Sequence, residues 1–265
     1  MMWLKHLDLF MPSVSRLITF RISHYCEKAR WALDRLGSSY VEECHLPPLH
    51  RFTTTPLGGS SVPVLVTEAG VFKDSAEILN YADELTSVDS KLYPPASELR
   101  QEVEQLEAKF NHRLGIVTRQ WGYFYGLQDR ELMQRLWCES VPKWDRVLFP
   151  VVFPVTKYLA HRSYHISAES ANTAYRQTQQ IFKTVSDRLA DGRKYLVGER
   201  FSAADLTFAC LAAPMLLPAE YGGVFPTLNQ LPNEMTEQIQ FLRETVAGSY
   251  VLRLYREERH APKCR

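Results

Sequence analysis

The sequence has no C-x-x-C pair, no apolar run of membrane-spanning length and almost no net charge. Each absence removes a class of function. Cysteines stand singly at positions 26, 44, 138, 210 and 264. An odd, widely spaced set of this kind is not the disulfide framework of a small secreted domain. Lys and Arg number 31 against 30 Asp and Glu, a net charge of +1, which argues against a whole-chain nucleic-acid footprint, so no nucleic-acid partner is expected. The basic residues near the end (Arg253, Arg256, Arg259, Lys263, Arg265) are expected to form a solvated tail. The apolar stretch Leu148 to Val155 has eight residues and contains Pro150 and Pro154. A membrane-spanning helix needs about 20, so no membrane span is expected. The opening segment carries Asp8 where a secretory signal would be apolar, and a cytoplasmic location is the expectation.

What the sequence does have is size and pattern. A chain of 265 residues can bury roughly 70–75% of its unfolded surface without a staple, as one large domain or two ordinary ones. Residues 16–23 form a β-favouring run. From His24 to Leu36, Ala29, Ala32, Leu33 and Leu36 recur at helical spacing with charges on the other face, and Gly37 ends the pattern. Tyr40–Leu46 reads as a second strand, followed by a loop marked by Pro47, Pro48, Pro56, Gly58 and Gly59. Val62–Val66 and Val71–Phe72 read as a hairpin around Glu68-Ala69-Gly70, and Asp74-Ser75 caps a helix with Ile78, Leu79 and Leu85 on its apolar face.

Everything after a Ser-, Asp- and Pro-rich linker is helical in pattern. The spacing predicts helical segments over 97–127, 129–162, 167–190, 201–217 and 233–257. The second is expected to bend or split at Pro142, Pro150 and Pro154. The expected organisation is an N-terminal extension over 1–15, an α/β domain over 16–86, a linker over 87–96 and an all-helical domain over 97–265.

Three short motifs carry chemistry, and each also has a purely structural reading. Ser23-His24-Tyr25-Cys26-Glu27-Lys28-Ala29 sits at a strand-to-helix junction. A helix N-terminus offers free N–H groups and a partial positive charge, which favour a thiolate. Ser23 is also an ordinary N-cap residue. In Ser61-Val62-Pro63-Val64 a proline opens a strand. A cis bond there would turn the Val62 backbone toward a ligand, although an edge-strand proline serves equally well. Asp74 and Ser75 at a helix start offer a carboxylate, a hydroxyl and free N–H groups, a set that suits an amino-acid head group or simply caps the helix.

Taken in order, these motifs resemble the cytosolic glutathione transferases. The first resembles the glutaredoxin segment C-P-Y-C-x-K-A with Ser for the first Cys and His for the Pro; Val62-Pro63 resembles the cis-proline loop, and Asp74-Ser75 the acidic-Ser glutathione motif. Phe201-Ser202-Ala203-Ala204-Asp205-Leu206 is similar to the capping box of that family's helical domain, with Ser202 and Asp205 as the reciprocal pair and Phe201 packing on Leu206.

The resemblance implies a thioredoxin-like α/β domain followed by an all-α domain. It implies glutathione as co-substrate, no metal, an apolar electrophilic second substrate, a homodimer and a role in detoxification. It places Ser23 in the activating position, its hydroxyl donating to the glutathione sulfur. A thiol pKa drop of about two units achieved this way corresponds to roughly 2.7 kcal/mol. Glutathione would be held by Ser23, Tyr25, Arg51, Val62, Pro63, Asp74 and Ser75.

Ser60-Ser61 stands where many members have Lys or Gln for the glycine carboxylate, so Arg51 or His50 would take that role. His24 is expected at the surface as a nearby base. Trp121 and Tyr125, with Tyr123, Trp137, Trp144 and the 149–153 wall, would supply the electrophile pocket. His161 and His165 share a helix spacing but lack further ligands nearby. Two alternatives stay open: a glutathione-dependent thiol reductase using Cys26, or a non-catalytic ligand-binding member of the fold.

Overall fold

The computed structural model describes residues 14–87 and 90–260. The first thirteen positions of the expected extension, and Lys263, Cys264 and Arg265, lie outside the described residues. The β-rich start forms β1 (Ser15–Thr19), β2 (Tyr40–Cys44), β3 (Val64–Thr67) and β4 (Gly70–Phe72). They make one sheet in the order β2-β1-β3-β4. β1 and β2 are parallel, with Ser15 opposite Tyr40; β1–β3 and β3–β4 are antiparallel, the latter a hairpin. The parallel pair is joined by helix α1 (His24–Arg35), the crossover that a parallel connection requires. α3 (Ser75–Glu84) packs beside α1, and Leu17, Ala29, Leu33, Leu65, Ile78 and Ala82 form their shared core with the sheet.

Between β2 and β3 the expected loop holds a short helix, α2 (His50–Thr54), and a 3-10 turn over Thr55–Leu57. Flanking prolines hid this helix, which is too short to show a period.

The remaining elements are helices: α4 (Ser97–Lys109), α5 (Gly115–Gly126), α6 (Arg130–Trp137), α7 (Lys143–Ser163), α8 (Ala168–Leu189), α9 (Ala203–Ala212), α10 (Asn233–Glu244) and α11 (Val246–Glu258). The architecture is a small mixed sheet with helices, then an all-helical part. All ten residues of α9 are buried, as expected of a helix apolar on every side. Its capping box forms as the sequence indicates. Asp205 accepts from the Ser202 N–H and hydroxyl at 2.7 Å, and from Leu196 N and the Tyr250 hydroxyl.

Three helical expectations are corrected. α7 breaks only before Lys143; Pro150 and Pro154 lie inside one continuous helix. Both prolines are exposed, so the carbonyls they leave unpaired face water rather than core. The last segment splits at Thr245, whose extended backbone ends α10 and whose hydroxyl caps α11 by accepting from Gly248 N at 3.0 Å. A Cβ on Gly248 would lie 1.9 Å from the Leu242 carbonyl, so the corner requires glycine there. The basic tail is solvated only in part: Arg259 is buried and paired with Glu27 at 2.7 Å and Asp34 at 2.9 Å.

The join between the sheet part and the helical part runs along α1. Its charged face, read as the side away from the core, is buried at this join. Lys28 donates to Glu107 at 2.6 Å and to Asn111 at 3.2 Å, and Glu107 also accepts from the Tyr93 hydroxyl at 2.5 Å. The helix from α4 to α5 passes through a π turn at Phe110–Leu114. Carbonyls at that turn face α1: the Tyr25 hydroxyl donates to Asn111 O at 2.8 Å, and His24 Nε2 lies 2.9 Å from Gly115 O. His24 is therefore buried, not at the surface as expected. Burial, then the nearby Arg119 charge, push its pKa down to about 3. The neutral ring donates its Nε2–H to the carbonyl.

Two predictions follow from the join. Lys28→Met leaves the Glu107 carboxylate buried without its cation and should cost about 3–5 kcal/mol in urea unfolding, whereas Lys28→Met combined with Glu107→Leu should recover much of that loss. For His24, the unfolded ring titrates near 6.5 and the folded one near 3. The unfolded state binds the extra proton between these values, so this contribution is present above pH 6.5 and is lost as pH falls toward 3. Unfolding measured from pH 6.5 to 4 should show a slope shallower in His24→Asn than in wild type, by up to about 1.4 kcal/mol per pH unit.

Candidate functional site

The site is built where β1 ends and α1 begins. Ser23 is the N-cap of α1, and its Oγ accepts from Cys26 N at 3.4 Å. Among the described residues the Ser23 hydroxyl donates to no oxygen or nitrogen acceptor; the group it can donate to is the buried Cys26 thiol, a weak acceptor that a ligand sulfur could replace. Ser23 lines a cleft of about 570 Å³ between the sheet part and the helical part, a size that suits a small-molecule site.

Around Ser23 the cleft is closed by the β2–α2 connection and the loop before β3. Pro47, His50, Arg51, Ser60, Ser61 and Val62 all line it. The Val62-Pro63 peptide is cis, and neither the Val62 N–H nor its C=O makes a hydrogen bond with the described residues. Arg51 is exposed on α2 without an ion pair among the described residues; burial, then the Arg51 charge, pushes the His50 pKa down to about 4. Pro63 is buried beside Val62 and does not line the cleft.

Asp74 and Ser75 open α3. One Asp74 oxygen accepts from Ala76 N at 2.7 Å and Glu77 N at 3.0 Å, which is a helix cap; Ser75 is buried and neither residue lines the cleft. Tyr25 does line it, but its hydroxyl is committed to the Asn111 carbonyl. A Cβ at Gly115 would lie 2.3 Å from that hydroxyl, so the close approach of α1 and α5 depends on glycine.

Cys26 lies one turn inside α1, fully buried and outside the cleft lining. Burial pushes its thiol up to about 11, outweighing Arg30 and the Phe20 and Ser23 hydrogen bonds. A thiol in that environment is a small apolar core group, not an attacking thiolate. Cys44, Cys138 and Cys210 are likewise free and buried.

The opposite wall comes from α5, where Thr118, Arg119, Gly122, Tyr123, Tyr125 and Gly126 face the cleft. Leu132, Met133, Leu136 and Trp137 from α6 and Tyr164 after α7 extend it. Trp121, expected in this pocket, is instead buried in the helical core and donates to Gln238 at 2.6 Å. Trp144 is exposed on α7, and Phe149 and Phe153 are core residues behind Trp137. Sequence reading did not single out Arg119. Its signal is the i, i+3, i+4, i+7 row of Arg119, Gly122, Tyr123 and Gly126, a helix face on which Gly122 leaves open space and Gly126 lets Met133 approach. Among the described residues there is no group of three His, Cys, Asp or Glu side chains suited to a metal, and no helix long and apolar enough to cross a membrane.

The family model for the glutathione S-transferase N-terminal domain matches residues 17–90, and that for the C-terminal domain matches residues 147–238. No curated protein matches the chain by sequence. Among solved structures, a glutathione S-transferase of Ceriporiopsis subvermispora in complex with glutathione is 15% identical over 96% of this chain and 100% of its own, with a TM-score of 0.61. The beta-etherase LigF from Sphingobium sp. strain SYK-6 is 17% identical over 91% of this chain and 99% of its own, TM-score 0.57. A glutathione S-transferase from Rhodospirillum rubrum F11 is 19% identical over 90% and 92%, TM-score 0.51. At such identities the likeness is one of fold, and the two family matches carry the assignment. Together they take in more than half of the residues, one on each side of the cleft, and the chain belongs to the glutathione S-transferase family.

Proposed function

We propose that this chain is a glutathione transferase of the Ser type, joining the glutathione thiolate to an apolar electrophilic small molecule. The observation that carries this reading is the Ser23 hydroxyl at the N-terminus of α1, on the lining of a cleft between the sheet and the helices and committed to no oxygen or nitrogen acceptor among the described residues. A hydroxyl donor and the positive end of a helix both favour thiolate over thiol. In this reading the sulfur attacks the electrophilic carbon, a C–S bond forms, and the leaving group departs with its electron pair. The thiol proton is released to water.

Glutathione would lie along the sheet side. The unpaired Val62 backbone groups would pair with its peptide, and Arg51, with His50 beside it, would meet the glycine carboxylate. Asp74 and Ser75 would take the γ-glutamyl head, with Asp74 keeping one carboxylate oxygen outside its capping role. The apolar electrophile would sit against Tyr125, Tyr123, Leu132, Met133 and Trp137. A cytoplasmic homodimer, with a glutathione-binding domain over 16–86, a linker over 87–96 and a substrate domain over 97–265, completes the reading. The depth and raised pKa of Cys26 count against the reductase alternative.

The test is thiol chemistry on purified protein. Conjugation of glutathione to an aromatic chloride should fall at least about tenfold in Ser23→Ala, the loss of one hydrogen bond to a charged group. Cys26→Ala should keep it within about twofold. Reduction of a mixed disulfide that vanishes only in Cys26→Ala would replace this reading with the reductase. Retention of an apolar dye without any turnover would replace it with a ligand-binding protein.

A further inference from the structure

Arg119 is a cation in the cleft wall with no anion to match it. It makes no ion pair and no hydrogen bond among the described residues, and its Nε is buried without a partner. Its guanidinium stacks instead on Tyr164, 4.3 Å from the ring centroid, with Tyr25 at 5.9 Å. Tyr123 stacks on Tyr164 at 5.6 Å and also faces the cleft, its hydroxyl free of any partner among the described residues. The single acidic residue of the lining is Asp129, an exposed residue whose carboxylate caps α6 by accepting from Leu132 N at 2.9 Å.

A half-buried guanidinium without a carboxylate forgoes the charge-assisted hydrogen bonds that normally offset its desolvation. Aromatic faces recover part of that cost and hold the planar fork in one orientation. Arg51 lies on α2 and lines the cleft together with Ser60 and Ser61 of the sheet part, whereas Arg119 lies on α5 of the helical part. Arg119 is therefore left for the second substrate.

We propose that the second substrate carries a carboxylate or an equivalent oxyanion, paired bidentately by Arg119, with the Tyr123 hydroxyl as an additional donor. The proposal rests on the transferase reading and narrows it from any apolar electrophile to an amphiphilic acid. Its aromatic or alkyl body lies against the α6 wall, and its anionic group faces α5.

The experiment compares 4-chloro-3,5-dinitrobenzoate with its methyl ester, two aryl chlorides of the same leaving group. In each the glutathione sulfur displaces chloride from the ring. The wild type should favour the acid over the ester in KM. Arg119→Gln should raise KM for the acid about tenfold and leave the ester within twofold, and Arg119→Lys should restore part of the difference. KM for glutathione should not change. An equal loss on both chlorides, or a raised KM for glutathione, overturns the proposal and assigns Arg119 to the thiol substrate or to packing.

A binding arm separates this from failure of the transferase reading. Quenching of tryptophan fluorescence by 4-nitrobenzoate and by methyl 4-nitrobenzoate, without glutathione, should show the same preference and the same loss in Arg119→Gln. The preference should weaken with salt. Binding preference without turnover of either chloride sinks the transferase reading and leaves the anion site standing. Turnover without any preference for the acid, in rate or binding, does the reverse.

Discussion

The arrangement of this protein hangs on the burial of α1 with its charges compensated. Glu27, Lys28 and Arg30 are all buried, and each reaches a different element. Lys28 pairs with Glu107 of α4; Glu27 pairs with Arg259 just beyond α11 and with Arg30; Arg30 pairs in turn with Glu42 of β2 at 2.8 Å and donates to the Arg21 carbonyl at 2.9 Å. An unpaired charge at any of these positions would cost several kcal/mol. The partners therefore fix how the sheet, α4 and the C-terminal segment sit around one helix. Glycine enters for the same reason. A Cβ on Gly222 would lie 2.4 Å from the Glu27 carboxylate.

This constraint places the site. With the body of α1 gripped by buried pairs, its first turn is held at the junction while its N-terminus stays open. His24 and Tyr25 spend their polar atoms on the Gly115 carbonyl at the start of α5 and the Asn111 carbonyl in the π turn. The N-cap Ser23 is left on the cleft lining with no oxygen or nitrogen acceptor for its hydroxyl among the described residues. Its neighbours in the first turn are committed to carbonyls of the helical part, and Ser23 is not.

Local signals in the sequence marked the parts that depend on neighbours in the chain. The strand-to-helix junction at Ser23, the cis Val62-Pro63 step, the Asp74 cap and the Ser202–Asp205 box all form as their residue types indicate. Several of the failures share one cause, which is dependence on contacts distant in the chain. Lys28 and Arg259 look like surface charges until Glu107 and Glu27 are brought to them from 79 and 232 residues away. Trp121 and Tyr125 lie one helical turn apart, yet Trp121 turns into the core to meet Gln238 while Tyr125 reaches the cleft. Pro150 and Pro154 read as breaks, but the exposed side of α7 tolerates them. Periodicity reports that a face exists; it does not report what will cover it.

The two walls of the cleft differ in a way that bears on how it can be used. The sheet side offers backbone groups and short polar side chains, at Val62, Ser60 and Ser61, which suit an extended peptide and carry little shape selectivity. The α5 side is shaped by glycines. A Cβ at Gly122 would meet nothing within 4 Å, so the missing side chain is space given to the cleft rather than to a neighbouring helix. Arg119 is one turn earlier on that same face, with its guanidinium carbon over the Tyr164 ring. Half-buried and sharing the wall with Leu132, Met133, Leu136 and Trp137, its charge is screened less than a surface charge would be. If the cleft takes a second substrate as proposed, selectivity would depend more on this one cation than on the fit of the apolar surface, because an apolar wall separates close analogues only weakly.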